Sequence, residues 1–321
     1  MQQELPTGLL VLLVVLLITV PMTVLADSTN SYTSTASLFT IGTGARPLGM
    51  ANAFVGLADG TSAVFYNPAG LVFLEQSGLT SFYSNQYSSF HYGSVDYAGP
   101  NLGLSYRQLS SGTLTERDLY GNSTGEFSYT SRGLIGTCGM RLEDLGLALQ
   151  GKVFTRANPG SVLGYSLSPS FLYRIEPFQV GGIFKNLLST DITYSEDHSE
   201  PWQEEITLGV AYSTEKLNLV LDVDALLDER GIDPEVARIG AEGKVFSHTL
   251  VRMGVTSKLQ SSIGLGVRVK GWQADYSFQF HEELPSTHRL SLTARFGQTL
   301  DGAWKEIQGG LMTFFSEFGE V

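Results

Sequence analysis

The chain has 321 residues and a formal charge of −12, and only 16% of its residues are charged, against roughly 25% in an ordinary soluble domain. The acidic balance argues against nucleic acid as a partner. The single cysteine, Cys138, leaves no disulfide framework and no cysteine-based metal cluster.

The first 26 residues carry the only long apolar run, Leu9 to Val20. Val24-Leu25-Ala26 follows, with small residues at the −3 and −1 positions of a cleavage site. The segment 1–26 is therefore expected to be a signal peptide. Beyond it no stretch approaches the roughly 20 apolar residues of a spanning helix.

Residues 27–77 do not alternate. Small residues dominate from Ile41-Gly42-Thr43-Gly44 through Asn67-Pro68-Ala69-Gly70-Leu71. Asn67 before Pro68 predicts a helix N-cap with proline at the first helical position. So compact a segment ahead of the first strand fits a plug in a barrel lumen or its periplasmic mouth.

From about residue 79 the sequence alternates with period two, the strand signal. In 272–281, Trp272, Ala274, Tyr276, Phe278 and Phe280 share one face, opposite Gln273, Asp275, Ser277, Gln279 and His281. About fourteen such segments occur, between 78 and 297, and an even number is expected of a closed bacterial barrel. Every second connection is short, as at Gly99-Pro100, Glu176-Pro177 and Lys270-Gly271. The connections 110–125, 188–204, 225–235 and 282–287 read as longer and polar. That parity, with glycine and aromatic enrichment and a mean hydropathy of only +0.04, predicts a transmembrane antiparallel barrel: apolar residues to lipid, polar ones to the lumen. It closes because lipid offers no partner to an open sheet edge. Lumen-facing candidates are Asp222, Asp224, Arg268, Asp275, His281 and Arg295, with Phe154 and Leu134 as apolar lumen positions. The tail 298–321 repeats Leu300, Trp304, Ile307, Leu311 and Phe315 at helical spacing, an amphipathic segment for a membrane surface or a partner.

Gly44-Ala45-Arg46, Gly49-Met50, Asn52-Ala53-Phe54, Ala58-Asp59 and Tyr66-Asn67-Pro68-Ala69-Gly70-Leu71 resemble the N-terminal region of the FadL-like outer-membrane proteins, most closely the PorV/PorQ-type branch. The resemblance implies a fourteen-stranded barrel in the bacterial outer membrane. It also implies a luminal hatch, with Gly44, Arg46, Gly49, Asn52, Asn67, Pro68 and Ala69 as hatch or gating residues. Arg46 is expected to pair with a lumen acid such as Asp222, Asp224 or Asp275, or else with a ligand carboxylate.

Catalysis is not expected. Asp275, Ser277 and His281 share a face, but alternate strand residues stand about 6–7 Å apart, while a nucleophile and its base need about 3 Å. No cofactor or metal is implied, since the acids of 188–204 lack calcium-loop spacing. Two functions remain. One is passage of hydrophobic small molecules. The other is a PorV-type role in protein secretion, binding exported or periplasmic proteins. Outer-membrane lipid and the barrel assembly machinery are partners in either case.

Overall fold

The computed structural model describes residues 38–86, 90–157, 161–195, 198–228, 231–280 and 286–297. The segment 1–26 expected to be a signal peptide, the tail 298–321 and His281 lie outside the described residues.

Fourteen strands, each joined antiparallel to its chain neighbours, form the wall. They are β1 (Ser77–Gln86), β2 (Phe90–Gly99), β3 (Leu102–Ser111), β4 (Thr130–Leu142), β5 (Leu145–Ala157), β6 (Ser161–Ile175) and β7 (Phe178–Lys185). The second half comprises β8 (Glu205–Ser213), β9 (Leu217–Asp228), β10 (Gly231–Phe246), β11 (Thr249–Thr256), β12 (Ser261–Val269), β13 (Trp272–Gln279) and β14 (Thr287–Phe296). β1 pairs with β14 from Ser77 opposite Phe296 to Asn85 opposite His288, which closes the barrel.

Alternation sets which side chains go in. In β1 Thr80, Phe82, Ser84 and Gln86 are buried, while Leu79 and Tyr83 are exposed. In β14 Arg289, Ser291 and Thr293 are buried against exposed Leu290 and Leu292. The outer face is thus a belt of Leu, Val, Ile and Tyr, an arrangement stable only in an apolar solvent. Aromatic pairs sit at its short-turn rim: Tyr97 stacks on Phe296 with ring centroids 6.5 Å apart, and Phe178 meets Tyr212 at 5.4 Å.

The short-turn parity holds at six connections, and Ser77 and Phe296 lie at that same end. Three expectations are corrected. Residues 225–228 and 231–235 are not loop, because the β9–β10 ladder continues to Asp228 opposite Gly231. Its one irregularity, between Asp224/Ala225 and Val236/Pro234, leaves Glu235 without a partner in the ladder. A bulge there accommodates Pro234, which has no N–H to donate. β4 begins at Thr130 rather than 126, and the preceding connection holds a separate hairpin, Leu114–Arg117 with Ser123–Phe127. Leu134 points outward and is 49% exposed, whereas its neighbour Ile135 is buried inside.

Candidate functional site

Residues 38–74 occupy the lumen. Two short helices, α1 (Ala45–Leu48) and α2 (Ala63–Tyr66), and a 3-10 turn (Pro68–Phe73) organise them. The side chains pack in three clusters against inward wall residues. Leu38 and Leu48 meet Phe82, Tyr92, Leu109 and Phe154; Met50, Phe54 and Val55 meet Ile183, Ala211 and Val220; Val64, Ala69 and Leu71 meet Ala98, Ile135 and Leu172.

Contact this close needs glycine on the wall. A Cβ on Gly209 would stand 2.4 Å from the Gly56 nitrogen, and one on Gly254 would stand 2.3 Å from the Met50 carbonyl carbon. Neither fits, since backbone on both sides cannot yield. Within the segment, Gly44 has φ 78 and caps α1, and a Cβ there would meet Ser62 Oγ at 2.6 Å. Gly49 lies against Gly264, whose Cα would be 3.1 Å from an added Cβ.

Polar wall residues hold the segment's backbone. The fully buried Asp222 carboxylate accepts the backbone N–H groups of Phe54 at 2.5 Å, Val55 at 2.7 Å and Gly56 at 3.3 Å. Three donors converging on one anion satisfy a turn that makes few bonds of its own. Asn67 caps the 3-10 turn by accepting from the Ala69 N–H at 3.1 Å, and it donates to the Val55 and Phe171 carbonyls at 3.0 and 2.9 Å. Pro68 and Ala69 are buried at the first turn, as the N-cap reading anticipated. Asn52 Oδ1 accepts the Tyr66 hydroxyl at 2.6 Å, and burial pushes that hydroxyl's pKa up.

Arg46 corrects a specific expectation. Its partners are Glu242, at 2.8 Å from Nε and 2.7 Å from Nη2, and Asp59, at 2.6 Å from Nη1. They are not Asp222, Asp224 or Asp275, because each of those is committed elsewhere. Asp222 holds the turn, Asp224 pairs with Arg238 at 2.5 Å, and Asp275 pairs with Arg252 at 2.9 Å. Burial opposes the charge on Arg46, but Asp59 and Glu242 outweigh it and hold the guanidinium's pKa well above its usual value. Arg252 Nε also donates to Glu242, at 2.6 Å, so the chain Asp59, Arg46, Glu242, Arg252, Asp275 alternates in sign across the lumen. Arg268 and Arg295, expected in the lumen, sit at its short-turn mouth and both donate to Gln273 Oε1 at 2.9 Å.

Toward the short-turn end the lumen holds the Arg46 charge network. Toward the long-connection end a cavity of about 310 Å³ opens between the segment and β5, β7, β8, β9 and β10, walled by aromatic rings and by the charged side chains of Glu205, Asp224, Glu235 and Arg238. Phe39, Phe65, Tyr66 and Trp202 line it together with Lys152 and Lys185. Lys185 is paired with Glu205. Among the described residues Lys152 has no carboxylate partner and donates to Asn186 Oδ1 at 3.1 Å. Trp202 is buried, and its Nε1 finds no acceptor among the described residues. Sequence reasoning missed Trp202, Lys152, Glu242 and Arg252. Trp202 sits in a polar connection with no periodicity, while the other three lie on the polar face of their strands.

Among the described residues no group of metal-ligand type side chains comes together, and no helix is long and apolar enough to cross a membrane. No family model and no curated protein matches the chain in sequence. Solved structures match it in shape. The toluene transporter TodX of P. putida aligns with TM-score 0.53 and 12% identity over 81% of this chain and 99% of that one. The monoaromatic hydrocarbon channel CymD gives 0.52 and 11% over 81% and 98%, and a FadL homologue of Pseudomonas aeruginosa gives 0.51 and 11% over 80% and 98%. The chain therefore shares with these proteins a closed fourteen-stranded antiparallel barrel of FadL-like fold.

Proposed function

We propose that the protein is an outer-membrane barrel that passes small hydrophobic molecules, with residues 38–74 as a hatch that must shift for passage. The short-turn end is then periplasmic and the long-connection end extracellular. The observation that carries this reading is the cavity directly outside the hatch, where Phe39, Phe65, Tyr66 and Trp202 supply aromatic wall beside the charged side chains of Glu205, Asp224 and Arg238. Pockets for small apolar ligands combine such walls with a few placed polar groups. Here the placed groups are Lys152 Nζ and Trp202 Nε1, donors that the protein itself leaves under-used. The ligand favoured is an apolar molecule with one acceptor end. TodX, a toluene transporter, and CymD, a monoaromatic hydrocarbon channel, share with this proposal the apolar, small-ring part of the ligand but not its acceptor end.

Arg46, Asn52, Asn67 and Asp222 act as latch residues that hold the hatch shut. The test is quenching of Trp202 fluorescence in refolded protein by a series of small aromatic compounds, against the Trp202→Phe variant as background. Saturable quenching specific to Trp202 supports the reading, and no saturable signal across the series sinks it. The alternative, binding of exported proteins, draws on the exposed hairpin tip, where Leu119 and Tyr120 are almost fully solvent-accessible. It has no enclosed site of comparable definition.

A further inference from the structure

The short-turn mouth carries a cluster of cations that form no ion pair among the described residues. Arg268 on β12 and Arg295 on β14 both aim at one amide oxygen, Gln273 Oε1, each at 2.9 Å. Lys270 lies in the turn between β12 and β13. No carboxylate lies within salt-bridge distance of any of the three among the described residues. The nearest acids are already committed, Asp59 and Glu242 to Arg46, and Asp275 to Arg252. All three cations line a cavity of about 620 Å³ that opens at the mouth, with Arg46 and Arg174 and the acids Asp59, Glu75 and Glu176 among its other walls, so cations outnumber acids there. Arg174, on the same cavity, lies over the Phe73 ring at 4.1 Å, and its Nε has no acceptor.

Two guanidinium forks on one neutral oxygen are mutually repulsive, and a single amide satisfies one N–H of each. Their remaining donors point at nothing the described protein supplies. In a chain of net charge −12, a pocket of this sign is a local reversal. Guanidinium pairs suit planar or tetrahedral oxyanions, which accept two bonds per fork.

We propose that this mouth is a binding site for a phosphate-type oxyanion, held by Arg268 and Arg295 with Lys270 as a further charge. The site is separate from the aromatic cavity and stands whether or not hydrophobic molecules pass. Two sources share the chemistry, a free phosphate ion and the phosphate head of a lipid in the adjacent leaflet.

The experiment uses the full chain refolded in a neutral detergent, with folding of each variant checked by heat-modifiable migration. Inorganic phosphate is titrated by calorimetry, and in parallel the protein is placed in nanodiscs of phosphatidylcholine with or without phosphatidic acid, then released for native mass spectrometry. Saturable one-to-one phosphate binding that weakens at least tenfold in R268Q/R295Q assigns the site to the free ion. One retained phosphatidic acid per barrel, lost in the same variant, assigns it to lipid. R268Q alone is the second variant if the double variant does not fold, and at least a threefold loss is expected of it. Neither phosphate binding nor lipid retention, or binding undiminished in the folded variants, overturns the proposal.

Discussion

Asp222→Ala is the sharpest perturbation of the N-terminal luminal segment. The carboxylate is fully buried and accepts three backbone N–H groups from residues 54–56. Bonds to a charged acceptor contribute about 1.5–3 kcal/mol each. The three share one desolvated anion, whose burial offsets part of that gain, so about 3 kcal/mol is a conservative sum. Alanine also leaves three buried donors without acceptors, which works in the same direction. If the segment opens locally, about 3 kcal/mol corresponds to roughly a hundredfold rise in the open population. Hydrogen exchange followed by mass spectrometry on refolded barrel reads this directly. Peptides covering 50–58 are expected to exchange about a hundredfold faster, with the β1–β14 closing strands unchanged. Exchange at 50–58 within threefold of the parent, in a variant that folds, would refute the idea that Asp222 anchors this segment.

Other expectations follow from the same contacts. Gly209→Val drives side-chain atoms into the Gly56 backbone and should displace the luminal segment locally, at a cost of about 1–3 kcal/mol. It is read as new sensitivity of Phe54 and Phe65 to chymotrypsin, while Gly136→Ala, which meets no atom within 4 Å, should change nothing. Asn67→Ala removes a cap and two carbonyl bonds and should lower stability by about 1–2 kcal/mol, measured by urea-dependent unfolding in lipid vesicles. The exposed hairpin supplies a pH test. The Asn122 side chain, then its backbone N–H, hold the Asp118 carboxyl below its ordinary range. Its contribution to turn order is therefore full above the ordinary carboxylate pKa and lost as pH falls through the lowered one. Heteronuclear NOE values for residues 119–122 should drop only in that acid window.

The wall was legible because membrane strands repeat one simple rule. In β13 and β14 every second residue faces lipid and no tertiary accident disturbs the phase. β4 was harder, since adjacent apolar residues Leu134 and Ile135 fit either phase. The choice is made by the luminal cluster of Ala58, Ala63 and Leu71, which takes Ile135. Residues 225–235 read as a loop because Pro234 and clustered acids normally end a strand, yet one bulge absorbs the proline. The N-terminal segment announced itself as compact, and Asn67-Pro68 as a cap. Its partners were hidden, because Arg46 reaches Glu242 across 196 positions and local pattern carries no trace of that pairing. One signal was available. Gly254, Gly264 and Gly266 fall where inward polar residues are otherwise expected, and two of the three lie directly against the segment.

Ion conductance across a planar bilayer tests most directly whether the cylinder is sealed by its own N-terminal residues. Intact refolded protein should give no resolved conductance steps. Deletion of 38–74 should give stable open steps of a fourteen-stranded pore. Large steady conductance in the intact chain, or silence in a deletion variant that still folds as a heat-modifiable barrel, would contradict the account.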